Sequence, residues 1–284
     1  VSAKTDVRQA ALAGAWYPES AAACRAAVDE YLAAPVMPGD FRGLIVPHAG
    51  FAYSGPTAGR GYRQLTPRAT ADLVVVFGSH RGAQGPNTVF CAEAWETPLG
   101  ALSCAVDLAR EVRDTLGLEE EPVLPRAADN GAELQLPFVR HVFAQAQLLM
   151  LGVAAAPIAM DIGAKVGGLC RARGRDVVFI GSTDLTHYGP NYDFVPEGVG
   201  EPAERWVRQT CDQGFLDRLL ALDSRGLLAH AHSERSACCP GAVAATLAAL
   251  QAFGHESKPA LIDHYLSCDI RPSSSFVGYA AVAL

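Results

Sequence analysis

Two segments constrain the fold of this chain more than any other feature, Asp72–Ser79 (DLVVVFGS) and Asp176–Ser182 (DVVFIGS). Each is an almost unbroken run of Val, Leu, Ile and Phe. A short run of this kind suits a strand covered by other structure on both faces. Four further segments have strand character: Gly43–Pro47, Gln147–Val153, Ala260–Ser267 and Phe276–Leu284. Between them lie helical patterns. Ser20–Ala33 puts Cys24, Ala27, Val28 and Tyr31 on one face, Ser103–Leu116 opens on a Ser suited to cap a helix, and Ala203–Leu222 and Gly241–Phe253 follow. Alternating strands and helices predict an α/β fold with a mostly parallel central sheet flanked by helices on both faces. The last two strand segments follow each other directly, which predicts an antiparallel hairpin at one sheet edge. With no repeat, low-complexity tract or linker, the 284 residues read as one domain spanning 1–284.

Composition narrows the function classes. Half of the residues are hydrophobic and 19% are charged, which is a globular composition. A net charge of −7 without long basic runs argues against nucleic acid or an anionic membrane as partner. The best apolar run, Leu148–Ala156, stops at Pro157, well short of the ~20 residues of a membrane span. Residues 1–6 (VSAKTD) contain no apolar leader core, and the eight cysteines include no C-x-x-C. Both observations lead us to expect a cytoplasmic protein with free thiols.

In open α/β sheets ligands bind beyond the carboxyl ends of the strands. His48 follows the strand GLIVP, His80 follows DLVVVFGS, and Thr183, Asp184, His187 and Tyr188 follow DVVFIGS. Three strand ends thus deliver His, His and Asp-x-x-His to one expected crevice. Two imidazoles on rigid strand ends suit a divalent transition metal. Candidates for a third ligand are Asp184, Glu133, and Cys238 or Cys239. His187 has the chemistry of a general acid/base. Cys238 and Cys239 stand at the entrance of the Gly241–Phe253 helix, where the dipole favours thiolate. His230 and His232 match no trusted metal spacing and read as ordinary residues of a loop before that helix. Tyr53, Tyr188, Trp16 and Tyr17 are candidates for an aromatic pocket. Nucleophile-elbow, nucleotide-binding and H-E-x-x-H templates are absent.

Six segments together resemble the Memo family, whose bacterial and archaeal members are often called AmmeMemoRadiSam system protein B. They are AGAWYP (Ala13–Pro18), VPHAGFAYSG (Val46–Gly55), FGSHRG (Phe77–Gly82), ELQLPF (Glu133–Phe138), STDLTHYG (Ser182–Gly189) and the terminal VGYAAVAL. The resemblance implies a fold similar to the class III extradiol dioxygenases, which cleave catecholic rings with non-haem Fe(II). It places His48 and His80 as metal ligands, Cys238 as the third ligand (Cys239 if the register is off by one), His187 as acid/base and Asp184 as its companion. Substrate would meet Tyr53, Tyr188, Trp16, Asn130 and Glu133. Two departures stand out. Asp129, Asn130 and Gly131 replace the family's usual Glu-His-Ser, and Cys238 is followed by Cys239-Pro240 where the family usually has Gly. The implied function is an oxygenase performing extradiol-type or related oxidative C–C cleavage of an aromatic small molecule with O2. Fe(II) is the expected metal, with Cu and Zn compatible with the same donors. Alternatives are a metal-containing binding or scaffold module without turnover, and a Zn-dependent hydrolase. A homodimer is the default assembly expected of such an enzyme.

Overall fold

The computed structural model describes residues 6–123, 128–256 and 258–284. The strands of its main sheet are β1 (Gly43–Val46), β2 (Leu73–Gly78), β3 (Thr88–Val89), β4 (Glu119–Glu120), β5 (Gln147–Gly152), β6 (Val177–Ser182), β7 (His187–Tyr188), β8 (Ala260–Leu266) and β9 (Phe276–Ala283). The helices that matter for the site and its support are α1 (Ala21–Tyr31), α2 (Phe51–Gln64), α3 (Val106–Leu116), α4 (Leu136–Val142), α5 (Ile158–Ala172), α6 (Gln213–Leu220), α7 (Ser224–Glu234) and α8 (Pro240–Phe253).

The strand order is β7-β9-β1-β6-β2-β5-β3-β4, with β8 paired to β9. Strands β1, β6, β2 and β5 are mutually parallel, with Val46 opposite Ser182 and Leu73 opposite both Val177 and Gln147. The rest corrects the expectation of a mostly parallel sheet, because the sheet is mixed. Strand β9 runs antiparallel to β1, β7 and β8, and β3 runs antiparallel to β5. Link length explains this. A parallel return needs a crossover of about a dozen residues or more. The chain between Gly78 and Thr88, and between Leu266 and Phe276, is shorter than that and simply reverses. The expected terminal hairpin is the β8–β9 pair.

The sheet is sandwiched between two apolar layers, as the period of two along β2 requires. Leu73, Val75 and Phe77 join one core with α3, α5, α6 and α8, while Val74 and Val76 join the other with α1, α2 and α4. On the second face Tyr62 stacks on Phe138 with ring centroids 5.0 Å apart, and Phe51 packs against Phe138 at 5.1 Å. On the first face α5 and α8 nearly touch backbone to backbone. A Cβ at Gly163 would lie 2.1 Å from the Ala245 carbonyl oxygen, and one at Gly167 would lie 2.1 Å from that of Ala249. The glycines are there because nothing larger fits.

Ser20 caps α1 by accepting a hydrogen bond from the Ala23 N–H at 3.2 Å. Ser103 is not a cap, since Leu102–Ser103 is a short strand and α3 starts at Val106. The expected helix Ala203–Leu222 is divided into Glu201–Trp206, a wider π-turn segment Val207–Asp212, and α6. His230 and His232, expected in a loop, lie on α7. Two helices that polar and glycine-rich composition conceals, α2 and α5, supply much of the helical cover. No helix among the described residues is long and apolar enough to cross a membrane.

Candidate metal centre

Four connections leave or enter the carboxyl edge of the parallel strands at one place. The chain leaving β1 passes Pro47 and His48 and enters α2. The chain leaving β2 turns at Ser79, whose φ of 67° is the left-handed conformation that non-glycine residues rarely adopt. That turn redirects the chain so that His80 comes next. The chain leaving β6 carries Thr183 and Asp184 before reaching His187 on β7. Cys238 and Cys239 lead into α8, with Pro240 at its first turn, where its missing N–H costs nothing. One ligand atom from each of His48, His80, Cys238 and Cys239 lies within 4.8 Å of the others. The rings of His48 and His80 are 4.8 Å apart, centroid to centroid.

Each donor is held by a partner behind it. The fully buried His48 has Nδ1 3.0 Å from Ser182 Oγ, which accepts from Gln135 Nε2 at 2.9 Å. With Nδ1–H donating to that hydroxyl, Nε2 is directed at the Cys238 sulfur, 3.2 Å away. Gln135 also donates to the Pro47 carbonyl and accepts from the Tyr62 hydroxyl, so the segment before His48 is fixed from two sides. His80 Nδ1 is 3.0 Å from Asp129 Oδ1, and the His80 backbone N–H donates to Asp129 Oδ2 at 2.9 Å. Asp129 reaches this position because Gly78 has no side chain. A Cβ there would sit 2.5 Å from the Gly131 carbonyl oxygen. Asp129 then accepts from the Gly131 N–H, closing the turn.

Asp184 ties the cluster together. Its backbone N–H donates to the Cys238 sulfur at 3.3 Å, its carbonyl accepts from the Cys238 N–H, and its carboxylate accepts from the His48 N–H at 2.7 Å. The second carboxylate oxygen is 3.7 Å from His187 Nε2 and 4.0 Å from His48 Nε2. His187 Nε2 is buried without a hydrogen-bond partner among the described residues. The ring packs against Tyr192, centroids 4.9 Å apart.

Electrostatics divides the two thiols. Burial would push the Cys238 thiol up. The Cys239 S–H, the His48 charge, and hydrogen bonds from His48 and His80 outweigh it and hold Cys238 well below the ordinary thiol range. The hydrogen bond to Cys238, together with burial, pushes Cys239 well up. Hydrogen bonds to Asp129 and Cys238 raise His80 to about 10 against the opposing effect of burial. Burial works against a charged His187, but Asp184 and the Cys238 charge prevail and raise it.

A profile described as Memo-like protein matches residues 8–283. The chain belongs to the Memo family. Among its relatives, the MEMO1 family protein of Pyrococcus abyssi is 28% identical over 98% of this chain and 99% of its own length. That of Methanothermobacter thermautotrophicus is 28% identical over 96% and 99%. The crystal structure of the uncharacterized protein JW3007 from Escherichia coli K12 superposes with a TM-score of 0.52 at 12% identity, over 86% of this chain and all of that one. At that identity the likeness concerns the fold alone.

In this Memo chain the donor chemistry fits a transition metal. Two imidazoles and a thiolate-forming cysteine converge, each backed by a hydrogen-bonded partner as metal ligands commonly are. Two cavities meet at the cluster and share His80 and His187. One of about 810 Å³ is lined by Trp16, Tyr53, Asn130, Asp184, Tyr192 and Arg271 among others. The other, about 410 Å³, lies on the Cys238 side with His232 and Arg235 on its wall.

The expected site residues therefore separate into two groups. His48, His80, Cys238, Cys239, Asp184 and His187 come together, and Trp16, Tyr53 and Asn130 line the larger cavity. Two expected substrate contacts are not on that wall. Tyr188 is wholly buried against Phe276, and its hydroxyl donates to the Gly198 carbonyl. Glu133 is also buried, accepting from the Tyr17 hydroxyl at 2.8 Å and the Leu12 N–H at 2.7 Å, so it braces the N-terminal segment. Tyr17, expected beside the pocket, is thereby a core residue. His230 lies apart from the cluster, with Nε2 2.9 Å from the Cys211 carbonyl oxygen. Sequence reasoning missed Asp129, Ser182, Gln135, Tyr192 and Arg271. The Asp129-Asn130-Gly131 turn carried a usable signal, because Asp two residues before Gly favours a side chain that hydrogen-bonds its own backbone.

Proposed function

We propose that this chain is a metal-dependent enzyme acting on a small aromatic molecule, and that the reaction is an oxygen-dependent, extradiol-type or related C–C cleavage. One observation carries the reading. The imidazoles of His48 and His80 and the Cys238 sulfur converge where the two cavities meet, with His80 on the wall of both and Cys238 on the wall of the smaller, beside His187, whose buried Nε2 has no hydrogen-bond partner among the described residues and lies 3.7 Å from the Asp184 carboxylate. Bound Fe(II) would supply a Lewis acid that acidifies a ligated hydroxyl and a redox centre for O2. No external reductant is needed, because cleavage by dioxygenation places both oxygen atoms in the product.

The residues of the chain do the rest. Tyr53, Trp16 and Tyr192 offer an aromatic wall against which a planar substrate packs. Asn130 is fixed by donating to the His48 carbonyl at 3.0 Å, which holds that side of the cavity in place. His187 accepts a proton from a substrate hydroxyl and returns it to the cleaved product, and the Asp184 carboxylate stabilises the charged ring in between. Eight free cysteines suit a reducing cytoplasm, and neither nucleic acid nor membrane is needed as partner.

The test is direct. Protein prepared without oxygen is analysed for metal, loaded with Fe(II), and given a catechol panel and O2. We expect one metal per chain, oxygen uptake and a ring-opened product. We also expect loss of metal in His48→Ala and His80→Ala. Unchanged metal content in both variants overturns the site. Metal retention with no oxygen uptake overturns the oxygenase in favour of a binding module. A second reading, hydrolysis at zinc, is favoured by one observation: a second thiol, Cys239, lies within the cluster. Oxygen-independent turnover of the zinc form identifies it.

A further inference from the structure

Cys239 belongs to no part of the mechanism above, yet it lies inside the cluster. We propose that it is a fourth protein donor, so that the centre is a His2Cys2 set formed by His48, His80, Cys238 and Cys239. The inference rests on the reading that the cluster holds a metal, and it does not depend on the reaction.

Three observations carry it. The Cys238 and Cys239 sulfurs are 3.7 Å apart. Two thiolates on one tetrahedral zinc, each at ~2.3 Å, stand about 3.8 Å from each other. Adjacent cysteines need not have this spacing, since side chains of consecutive residues usually diverge. Here the backbone is constrained at both positions. Cys238 N–H donates to the Asp184 carbonyl, Cys239 N–H donates to Thr183 Oγ1 at 3.1 Å, and Pro240 fixes the start of α8. These contacts turn both sulfurs toward β1 and β2, which carry the histidines. Finally, Cys239 is buried and, as a thiol, its sulfur donates to the Ser79 carbonyl at 3.5 Å and lies 3.7 Å from the Cys238 sulfur, with no stronger partner among the described residues, so a metal could take the place of its proton at the cost of one S–H···O bond.

The donor count has a chemical consequence. Two imidazoles and two thiolates favour ions content with four soft-to-intermediate ligands, Zn(II) or Cu(I), over Fe(II). A six-coordinate ion held by four protein donors keeps two positions. A chelating substrate and O2 together require three. Cys239 therefore biases the centre toward zinc or copper(I) at rest, and an Fe(II) form that took both a chelating substrate and O2 would have to leave one of the four protein donors unbound. On each thiol, the S–H proton is released to solvent as the metal–sulfur bond forms.

The experiment uses Co(II) added to the metal-stripped full chain, because sulfur-to-cobalt charge transfer grows with the number of bound thiolates. Wild type should show the intensity of two thiolates, Cys238→Ser and Cys239→Ser about half of it each, and the double variant none. X-ray absorption of the zinc form should give two sulfur neighbours in wild type and one in Cys239→Ser. Zinc preference over Fe(II) should fall at least about tenfold in Cys239→Ser. Thermal melting checks that each variant is folded. Full wild-type intensity in Cys239→Ser, with a single sulfur neighbour in wild type, overturns the inference and leaves the three-ligand metal enzyme standing. Two sulfur neighbours with no oxygen uptake support the inference and overturn the oxygenase. Absence of cobalt binding by folded wild type overturns both.

Discussion

Replacing Asp129 by Asn tests whether the site depends on its supporting residues. The Asp129 carboxylate accepts three hydrogen bonds: from His80 Nδ1–H and the Gly131 N–H at Oδ1, and from the His80 N–H at Oδ2. An amide of the same shape offers one acceptor oxygen. With that oxygen at the Oδ1 position, its NH2 faces the His80 N–H, donor against donor. With the oxygen at Oδ2, the imidazole loses its partner and both ring orientation and tautomer are released. Either way at least one bond is lost and the negative charge is removed, which costs about 1.5–3 kcal/mol for a bond to a charged group. That corresponds to a roughly 10–100-fold weaker metal affinity, the range typical of residues that orient a metal ligand. The assay is competition against a chromophoric chelator with Zn(II) as the probe, on protein whose melting temperature matches wild type. A thermodynamic cycle sharpens it. Asp129→Asn added to His80→Ala should cost almost nothing further, because its effect runs through His80. Asp129→Asn binding within twofold of wild type, while His80→Ala loses the metal, would refute the idea that Asp129 sets the ligand orientation.

Three further outcomes are expected. His187→Gln should keep its metal and lose about 10²–10⁴ in turnover, read by metal analysis beside oxygen uptake, since the residue moves a proton and is not placed as a ligand. On α5, Gly163→Val drives a side chain into the Ala245 carbonyl, whereas Gly168 faces open space. The first should destabilise by about 3 kcal/mol and lower Tm by about 6–12 °C, and Gly168→Ala should be neutral or stabilising by up to ~1 kcal/mol. Melting both variants decides it, and equal losses would rule out the close helix contact. Burial raises Cys104 and Cys170 from 9.0 to about 12 each. Their folded-state values lie above the unfolded ones, so the stability they protect is complete below pH 9 and is lost as pH rises from about 9 toward 12. Tm should therefore fall across that window, less steeply in Cys170→Ala. A parallel slope in the variant would remove Cys170 from the explanation.

The strands were legible because their signal is local. DLVVVFGS and DVVFIGS can bury both faces only inside a sheet, and the observed β2 and β6 sit within one residue of the expected bounds. Helices that the same reading missed failed for a physical reason. Along α5 the buried positions are Ala159, Ile162, Gly163, Val166, Gly167 and Cys170, a proper helical stripe. Half of it is Gly and Ala, whose small apolar area hides the period even though close packing against α8 requires them. In α2, Gly55, Gly59, Gly61 and Pro56 have the same masking effect, with Tyr31 filling the space beside Gly55 and Gly59. Sheet direction was misjudged because strand orientation depends on link length and on which neighbour is available, and an apolar run contains neither.

The candidate donors His48 and His80, the Cys238–Cys239 pair, and Asp184 and His187 could be named from sequence because strand ends and a helix entrance fix where such residues lie along the chain, while the preference for Cys238 came from the family resemblance. Their company could not. Asp129 behind His80, Ser182 and Gln135 behind His48, and the removal of Tyr188 and Glu133 from the pocket wall all depend on side-chain directions across separations of tens to over a hundred residues. Folding alone decides those directions, since each hydroxyl or carboxylate turns to whichever partner spares it an unsatisfied burial. The chain thus encodes locally which chemistry is available at the sheet edge, and the packed structure selects which of those groups face one another.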